Sequence, residues 1–246
     1  MYDVASEMLN AQKYLEIVRK RGEANAELKR VYRNIRQRGL FFAAYGKLYS
    51  NEGATTPGVD PNDTVDGMSL QKIDTLLKEL ENGIYQWKPV RRTYIEKKNS
   101  KKLRPLGMPG WSNKLLQEVI RMVLEAYYEP QFRESSHGFR PHRGCHTALN
   151  VIRKTWTGTK WFVETDISGC FDNLDHNLVI KILGRKIKDT RFLKLIKGML
   201  KAGYMEDWTY HQTYSGTPQG GIVSPLMMNI VLNELDALAN VDLATR

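Results

Sequence analysis

The chain has 246 residues, 41% of them hydrophobic and 26% charged, enough for a buried core of one large or two small domains. Its formal net charge of +10 favours a polyanionic partner, most often nucleic acid. The sequence has no signal peptide and no apolar run near the ~18 residues of a membrane span. We therefore expect a cytoplasmic protein of bacterial type with no membrane partner. Its two cysteines provide no disulfide framework and are predicted to be free thiols.

The amino-terminal part is predicted to be helical and basic. A loosely docked helix is predicted from about residue 8 to 18, and apolar residues spaced three or four apart predict one or two more between 26 and 49. Their polar face is either a solvated cationic surface or a contact surface for phosphates and bases. The cations on it are Arg30, Arg33, Arg36 and Arg38.

The next segment passes from a loop to a helix and then to two strands. Residues 53–68 are rich in Gly, Pro, Asp and Thr and predict a loop, and residues 69–80 predict an amphipathic helix that Gly83 ends. Strands are predicted at 90–96 and 102–106. Between and beside them lies a concentration of cations suited to an anionic ligand. These cations are Lys97, Lys98, Lys101, Lys102 and Arg104.

A core helix is predicted from Ser112, its N-cap, to about Glu129, because its apolar residues form one wide stripe. Residues 135–146 hold three histidines and Cys145. A zinc site is the weaker alternative there, since the spacing fits no structural zinc pattern. We interpret this segment as a loop that places Arg140 and Arg143 against a nucleic-acid backbone.

The segment around Asp166 is the strongest candidate for chemistry. Residues 161–163 are aromatic or β-branched and predict a short buried strand that ends on Asp166. Ser168 and Gly169 then break the pattern, and a helix is predicted from 170 to 183. A carboxylate at the carboxyl end of a strand can hold Mg²⁺, which prefers hard oxygen ligands. The alternative is that Asp166 only caps the turn.

A second unusual loop lies near the end of the chain. A short helix is predicted at 190–200 and a hairpin or irregular segment at 202–217. Pro218, Gly220 and Gly221 then form a non-helical loop whose backbone can approach a ligand closely. A helix is predicted from about 222 to 238, with Pro225 tolerated in its first turn.

These motifs together resemble the reverse transcriptase–maturase proteins of group II introns. The resemblance rests on Asp166 with Phe171 five residues later, on the Pro-Gln-Gly-Gly loop at 218–221, and on segments 56–67, 102–109 and 137–149 in the same order. It covers roughly residues 30 to 240. It implies an α/β (α+β) fold of the right-hand polymerase type, with fingers and a partial palm built of mixed helices and an antiparallel sheet.

The resemblance also implies a division of the chain. Residues 1–110 correspond to the fingers with an amino-terminal RNA-binding extension, and residues 111–184 to the first part of the palm with the Asp166 motif. Residues 185–218 return to the fingers. Residues 219–246 form a palm helix that stops before the second carboxylate box of the family.

The implied function is RNA-directed DNA polymerisation, a nucleotidyl transfer, together with intron RNA binding that assists splicing and retrotransposition. The implied partners are intron RNA and an RNA template with a DNA primer. The implied ligands are Mg²⁺, at Asp166 and the backbone carbonyl of Ile167, and deoxynucleoside triphosphates. The nucleotide-binding residues would be Lys97 (with Lys98 as a rival), Arg104, Ile167, Ser168, Gly169, Cys170, Phe171, Gln219 and Gly220. The RNA and template contacts would be Arg30, Arg33, Arg36, Arg38, Arg140, Arg143 and Pro218.

One motif of the family is missing from these residues. The Tyr-Ala-Asp-Asp box that supplies the second carboxylate site does not occur, and Glu164, Asp172 and Asp175 are poorly placed to replace it. We therefore expect a fragment without primer-extension activity of its own. The alternative function is a non-catalytic RNA-binding module that assists splicing. A homodimer is a further expectation, because a partial palm exposes a normally covered face.

Overall fold

The structure is a computed structural model that describes residues 3–51, 53–96, 103–217 and 220–241. No helix within these ranges is long and apolar enough to cross a membrane. The helices are α1 (Val4–Glu23), α2 (Val31–Asn34), α3 (Arg38–Tyr49), α4 (Leu70–Asn82), α5 (Trp111–Tyr128), α6 (Cys145–Thr155), α7 (His176–Lys186), α8 (Thr190–Leu200) and α9 (Ser224–Val241). The strands are β1 (Val90–Glu96), β2 (Leu103–Met108), β3 (Tyr204–Glu206) and β4 (Thr209–His211).

Helix α5 lies at the centre of the core. Its apolar residues are spaced three and four apart and cover most of its circumference, which is typical of a helix buried on nearly all sides. It packs against α1 and α3 on one side and contacts α9 on another. Its one fully buried acid, Glu118, is neutralised by Arg121 at 2.8 Å and Lys47 at 3.4 Å. The amino-terminal helices and the carboxyl-terminal helix therefore share one core.

The amino terminus of α5 is capped from a distant loop. The backbone carbonyl of Asp63 accepts a hydrogen bond from the Trp111 amide at 3.0 Å. The Asp63 carboxylate accepts from the Ser112 amide at 3.0 Å and from its hydroxyl at 2.7 Å. Ser112 is therefore the second residue of the helix and not its N-cap, and the capping group lies 49 residues away. These bonds fix the loop predicted at residues 53–68 against the core.

The four strands form a mixed sheet in the order β2-β1-β3-β4. β1 pairs antiparallel with β2, Arg91 opposite Met108 and Glu96 opposite Leu103, as predicted for this hairpin. β1 pairs in parallel with β3, and β3 pairs antiparallel with β4. The prediction of an antiparallel sheet is therefore wrong for one pair. The parallel pair arises because the chain crosses α5 through α8 before it returns to the sheet.

Local signals predicted most helices correctly. The Ser69 hydroxyl caps α4, Gly83 ends it with a positive φ of 71°, and α8 spans the predicted residues. α1 is longer than predicted, because the Asp3 carboxylate caps it at the Ser6 amide. α6 was not predicted, and only its first two residues lie in the segment that we expected to be a loop. None of the residues of α6 is buried, so the spacing of its apolar residues does not reflect packing against the core.

We predict that Asp63→Ala lowers the free energy of unfolding by about 2 kcal/mol, because it leaves the Ser112 amide and hydroxyl without their charged acceptor. Asp60→Ala is the matched control in the same loop. It removes an exposed ion pair with Lys88 at 3.6 Å and an exposed hydrogen bond from the Asn62 amide at 2.9 Å, and is expected to cost less than about 1 kcal/mol. Urea unfolding followed by circular dichroism measures both values. Equal losses in the two variants would contradict the capping role.

Candidate functional site

The residues before Asp166 do not form the predicted strand. Residues 161–167 have no strand hydrogen bonds, and the exposed fractions of Trp161, Phe162 and Val163 are 89%, 74% and 90%. The prediction of a buried strand is therefore wrong for this structure. A strand needs neighbouring backbone to pair with, and the described residues place none beside this segment. Asp166 and Ile167 are both exposed in it.

A tight turn follows Asp166. Gly169 has a φ of +57°, and its carbonyl accepts hydrogen bonds from the amides of Asp172 and Asn173, both at 2.9 Å. The Asn173 side chain donates to the Ser168 carbonyl at 3.1 Å. The helix predicted from residue 170 starts only at His176. The residues before His176 form the turn instead of a helix. The Asp175 carboxylate then caps α7 by accepting a hydrogen bond from the Leu178 amide at 2.7 Å.

Phe171 lies within this turn and not at the start of a helix. Its ring is half-buried, packs against the core and meets the Phe139 ring edge to face with centroids 6.5 Å apart. The neighbouring Cys170 thiol lies 3.1 Å from the Met228 sulfur. Burial first, and the Asp166 charge second, raise the pKa of this thiol. Cys170 therefore packs against the core beside the turn.

The segment 215–217 is bound directly to this turn. The Thr217 amide donates to the Phe171 carbonyl at 2.8 Å, and the Gly216 amide donates to the Leu174 carbonyl at 2.8 Å. The Ser215 hydroxyl donates to the Asp172 carbonyl at 3.1 Å. Two motifs that lie more than 40 residues apart in the sequence thus form one structural unit.

The residues that follow are positioned by the sheet and by α5. Gly220 has a φ of +103°, and a Cβ there would lie 2.7 Å from the Gly107 carbonyl of β2. The buried Gln117 side chain of α5 accepts a hydrogen bond from the Ile222 amide at 2.9 Å. Only a glycine allows this approach at residue 220. The predicted site residues Pro218 and Gln219 lie outside the described residues.

A cleft of about 410 Å³ lies between the sheet and this unit. The Arg92 guanidinium lies 3.4 Å from the centroid of the Tyr204 ring, and the other ring partner of Tyr204 is His211 at 4.8 Å. The cleft size is in the usual range for a small-molecule site. Its walls carry polar backbone, one guanidinium and aromatic rings. The lining residues include Arg92, Gly107, Asp172, Tyr204, Tyr214 and Thr217.

The predicted phosphate-binding hairpin is only partly described. Arg104 is exposed on β2 opposite Ile95, so its guanidinium is accessible to an anion. Lys97 and its rival Lys98 lie outside the described residues. Arg92, Tyr204 and Tyr214 were missed by the sequence analysis. The two adjacent arginines in β1 and the aromatic residues of 204–214 were the available signals.

The amino-terminal arginines divide into two pairs. Arg30 and Arg33 are exposed. Arg36 pairs with Glu81 at 3.0 Å, and Arg38 donates two hydrogen bonds to Asp74 at 2.6 and 2.8 Å. Arg38 also pairs with Glu7 at 3.4 Å. The predicted basic face is thus partly neutralised. For Arg38 an RNA contact conflicts with its use as a brace between α1, α3 and α4.

Arg140 and Arg143 also differ from each other. Arg140 is buried, pairs with Glu129 at 2.8 Å and donates to the carbonyls of Arg133 and Ser136 at 2.7 and 2.8 Å. A buried arginine with these partners holds its own loop, and the template contact of Arg140 stays a prediction. Arg143 pairs with the exposed Glu134 at 2.6 Å and holds the pKa of that carboxyl below its usual range.

The Asp166 side chain can provide part of the ligand set that a magnesium site needs. Asp166 is an exposed carboxylate, the hard oxygen ligand that Mg²⁺ prefers. In the part of the chain that the structure describes, no three acidic, histidine or cysteine side chains converge on one point. The residues therefore fit one protein ligand of an ion and not a complete two-ion centre. By the same observation, the histidines of 137–146 assemble no zinc site within these ranges.

We predict that Arg140→Ala lowers the free energy of unfolding by about 3–5 kcal/mol, because it leaves Glu129 and two carbonyls without a donor. Arg143→Ala removes an exposed ion pair and is expected to cost less than about 1 kcal/mol. Chemical unfolding of the two variants, three residues apart, measures the difference. Similar losses would show that Arg140 is not the anchor of this loop.

The comparison with solved structures concerns the fold. The chain superposes on a chain of the "Partial Cas6-RT-Cas1--Cas2 complex" with a TM-score of 0.54 and 20% sequence identity. The match covers 84% of this chain and 34% of that one. At this identity the match shows a shared arrangement of helices and mixed sheet. The match therefore shows that the two chains share an α/β fold.

The sequence comparisons give the family. Residues 95–243 match the family described as "Reverse transcriptase (RNA-dependent DNA polymerase)". This chain belongs to the reverse transcriptase family, as the sequence analysis predicted. Both motifs of the hydrogen-bonded unit, the turn after Asp166 and the segment before Gly220, lie inside the matched range.

The similar proteins include several encoded by introns. The chain is 52% identical over 224 residues to "Group II intron-encoded protein LtrA" of Lactococcus lactis subsp. cremoris, covering 90% of this chain and 37% of that protein. It is 47% identical to an "Uncharacterized 91 kDa protein in cob intron" of Schizosaccharomyces pombe, covering 81% and 24%. It is 37% identical to "Protein YkfC" of Escherichia coli, covering 87% and 58%. The chain thus spans less than two thirds of each relative.

Proposed function

We propose that this chain forms the fingers and the first part of the palm of an RNA-directed DNA polymerase of a group II intron. The observation that carries the proposal is the hydrogen-bonded unit of the turn after Asp166 and segment 215–217 beside the cleft. Two family motifs that are distant in the sequence lie together where a nucleotide could be held. The likeness to the intron-encoded protein of Lactococcus lactis supports the assignment to group II introns.

The proposed nucleotide site uses groups of two kinds. The exposed Arg104 guanidinium, with Lys97 as its expected neighbour, supplies positive charge for the triphosphate of a deoxynucleotide. The Phe171 ring and the backbone of 168–170 would lie under the sugar, and Gln219 and Gly220 would complete the site. This arrangement needs the accessible cation and the rigid turn that the structure describes.

Asp166, with the carbonyl of Ile167, would hold Mg²⁺ in this proposal. The bound ion would supply positive charge to the primer hydroxyl and to the triphosphate. Among the described residues no group of three or more acidic, histidine or cysteine side chains could hold a metal ion, so Asp166 and the Ile167 carbonyl would form only part of the ion site. As an exposed carboxylate, Asp166 can provide one anionic oxygen ligand at the edge of the turn.

The second part of the proposal is RNA binding. The net charge of +10 and the exposed Arg30 and Arg33 support a contact with intron RNA or with the RNA template of a template–primer duplex.

A second candidate function follows from the same surface. A non-catalytic RNA-binding module that assists splicing is favoured because no group of three or more potential metal ligands occurs among the described residues. The exposed apolar residues 161–163 are where a second copy would pack if the chain forms a homodimer.

We predict salt-dependent RNA binding by the purified chain. Each phosphate contact is expected to add a little under one unit to the slope of log K against log salt concentration. Arg30→Glu with Arg33→Glu should weaken binding at least about tenfold and reduce the slope. Lys186→Glu with Lys188→Glu is the matched control, because both lysines donate to backbone carbonyls at 3.2 and 2.9 Å. Fluorescence anisotropy with a group II intron RNA gives both quantities, and a flat salt dependence would refute the proposed RNA contact.

We predict that Phe171 selects deoxynucleotides by excluding a 2′-hydroxyl. The test uses the Lactococcus lactis protein with this chain in place of its 224 aligned residues. Phe171→Val should raise ribonucleotide incorporation at least about tenfold and keep much of the deoxynucleotide rate. If the ring only packs against the core, the variant should lose about 2–3 kcal/mol of stability with an unchanged sugar preference.

The same experiment separates the two candidate functions. The 246-residue chain without the added part is the negative control, and we expect no extension from it because the family's second carboxylate box does not occur in its sequence. Extension of a primed RNA template by the chimaera, abolished by Asp166→Ala, would support the polymerase. RNA binding by an inactive chimaera would favour the splicing module.

A further inference from the structure

His176 is the first residue of α7 and only 2% of it is exposed. Its Nε2 atom lies 2.7 Å from the carbonyl oxygen of Gly216. Because a carbonyl only accepts hydrogen bonds, Nε2 carries the proton and donates it. The Nδ1 atom is buried without a hydrogen-bond partner among the described residues. Burying an imidazole with one unsatisfied nitrogen costs folding free energy. The hydrogen bond that its other nitrogen makes to Gly216 is therefore expected to serve a purpose.

The partner of His176 lies at the centre of the unit described above. The amides of Gly216 and Thr217 bind the carbonyls of Leu174 and Phe171, both at 2.8 Å. These two bonds do not involve the carbonyl oxygen of Gly216, which needs a donor from elsewhere. His176 supplies that donor through its side chain, from the α7 side of the unit. The backbone of Gly216 is thereby held at both its amide and its carbonyl.

No side-chain packing can replace these bonds at residue 216. Gly216 has a φ of +83°, and a Cβ there would lie 2.7 Å from the Asp172 carbonyl and 2.9 Å from the Phe171 carbonyl. The two backbones are in direct contact, so only hydrogen bonds can set their relative position. A change of one bond at Gly216 would be transmitted to the Thr217 amide and to the Phe171 carbonyl that it binds.

We propose that His176 is a positioning residue of the nucleotide site, which fixes Gly216 and thereby the backbone of Phe171. The link to nucleotide binding rests on the proposed function, but the positioning itself does not. The contrasting explanation is that His176 only fills space in the core beneath α7. The two explanations differ in what happens when the donor is removed but the volume is kept.

Three substitutions separate donor from volume. His176→Gln keeps an N–H group the same number of bonds from the backbone as Nε2. His176→Asn places its amide one bond closer to the backbone, and His176→Leu keeps bulk without a donor. We expect amide hydrogen exchange of Gly216 and Thr217 to rise roughly three- to tenfold in the Leu and Asn variants, as for loss of one buried hydrogen bond. Exchange in the Gln variant should stay within about twofold of the unsubstituted chain.

A spectroscopic signal reports on the consequence at Phe171. With 4-fluorophenylalanine at residue 171, the ¹⁹F resonance should shift or broaden in the Leu variant and return in the Gln variant. The same label at the fully buried Phe192 of α8 should be unaffected by all three. The Leu178 amide, which Asp175 caps at 2.7 Å, is the exchange control within α7. His146→Leu, at an exposed histidine, is the control for the substitution itself.

Two results would overturn the proposal. In the first, His176→Leu leaves the Gly216 and Thr217 amides and the Phe171 resonance unchanged. In the second, the Gln variant is perturbed as much as the Leu variant, or Leu178 exchanges faster to the same degree, which would indicate a space-filling role. All measurements use the 246-residue chain without RNA or nucleotide. Failure of the positioning role is therefore distinct from failure of the proposed function, which the binding and extension experiments test.

Discussion

The burial of α5 on nearly all sides is the constraint on which the rest of the structure depends. A helix without an exposed face must be covered by several elements at once, and here these are α1 and α3 on one side and α9 on another. Its polar residues then position the surrounding loops. Asn113 accepts from the Tyr85 hydroxyl at 2.8 Å and donates to the Lys88 carbonyl, just before β1. Gln117 holds the Ile222 amide before α9. One core helix thus aligns the base of the sheet with the loop that borders the cleft.

The candidate site itself depends on backbone contacts rather than on side-chain chemistry. The turn after Asp166 and segment 215–217 approach each other so closely that Gly216 has no room for a Cβ. Such contacts are fixed by hydrogen bonds with short, directional geometry, so small displacements are resisted. Rigid donors and walls of this kind reduce the entropy lost when a flexible ligand is bound in one orientation.

The sequence predicted elements with local signals and missed features that depend on distant partners. β1, α4 and α8 carry their own patterns and caps, and they formed as predicted. Residues 161–163 carry a strand pattern equally clearly, but a strand also requires a neighbour, which no local pattern supplies. Arg140 and Arg143 are alike in sequence, and only the position of Glu129 makes the first a buried anchor. His176 is found for the same reason only in the structure, since its acceptor lies 40 residues away.

The net charge calculated from the sequence likewise does not reveal which cations are paired with carboxylates within the fold. A charge of +10 describes the whole chain, yet Arg38, Arg121 and Arg140 each bind carboxylates within the fold. Their charge still contributes to the long-range field, which steers an anionic partner towards the protein. It contributes little to close phosphate contacts, because the guanidinium donors are already used. Contact with a polyanion therefore falls to cations that remain exposed, such as Arg30, Arg33 and Arg104. Those three lie at the amino-terminal helices and on the outer strand of the sheet, so their placement, and not the total charge, shows where positive charge is exposed to an anionic partner.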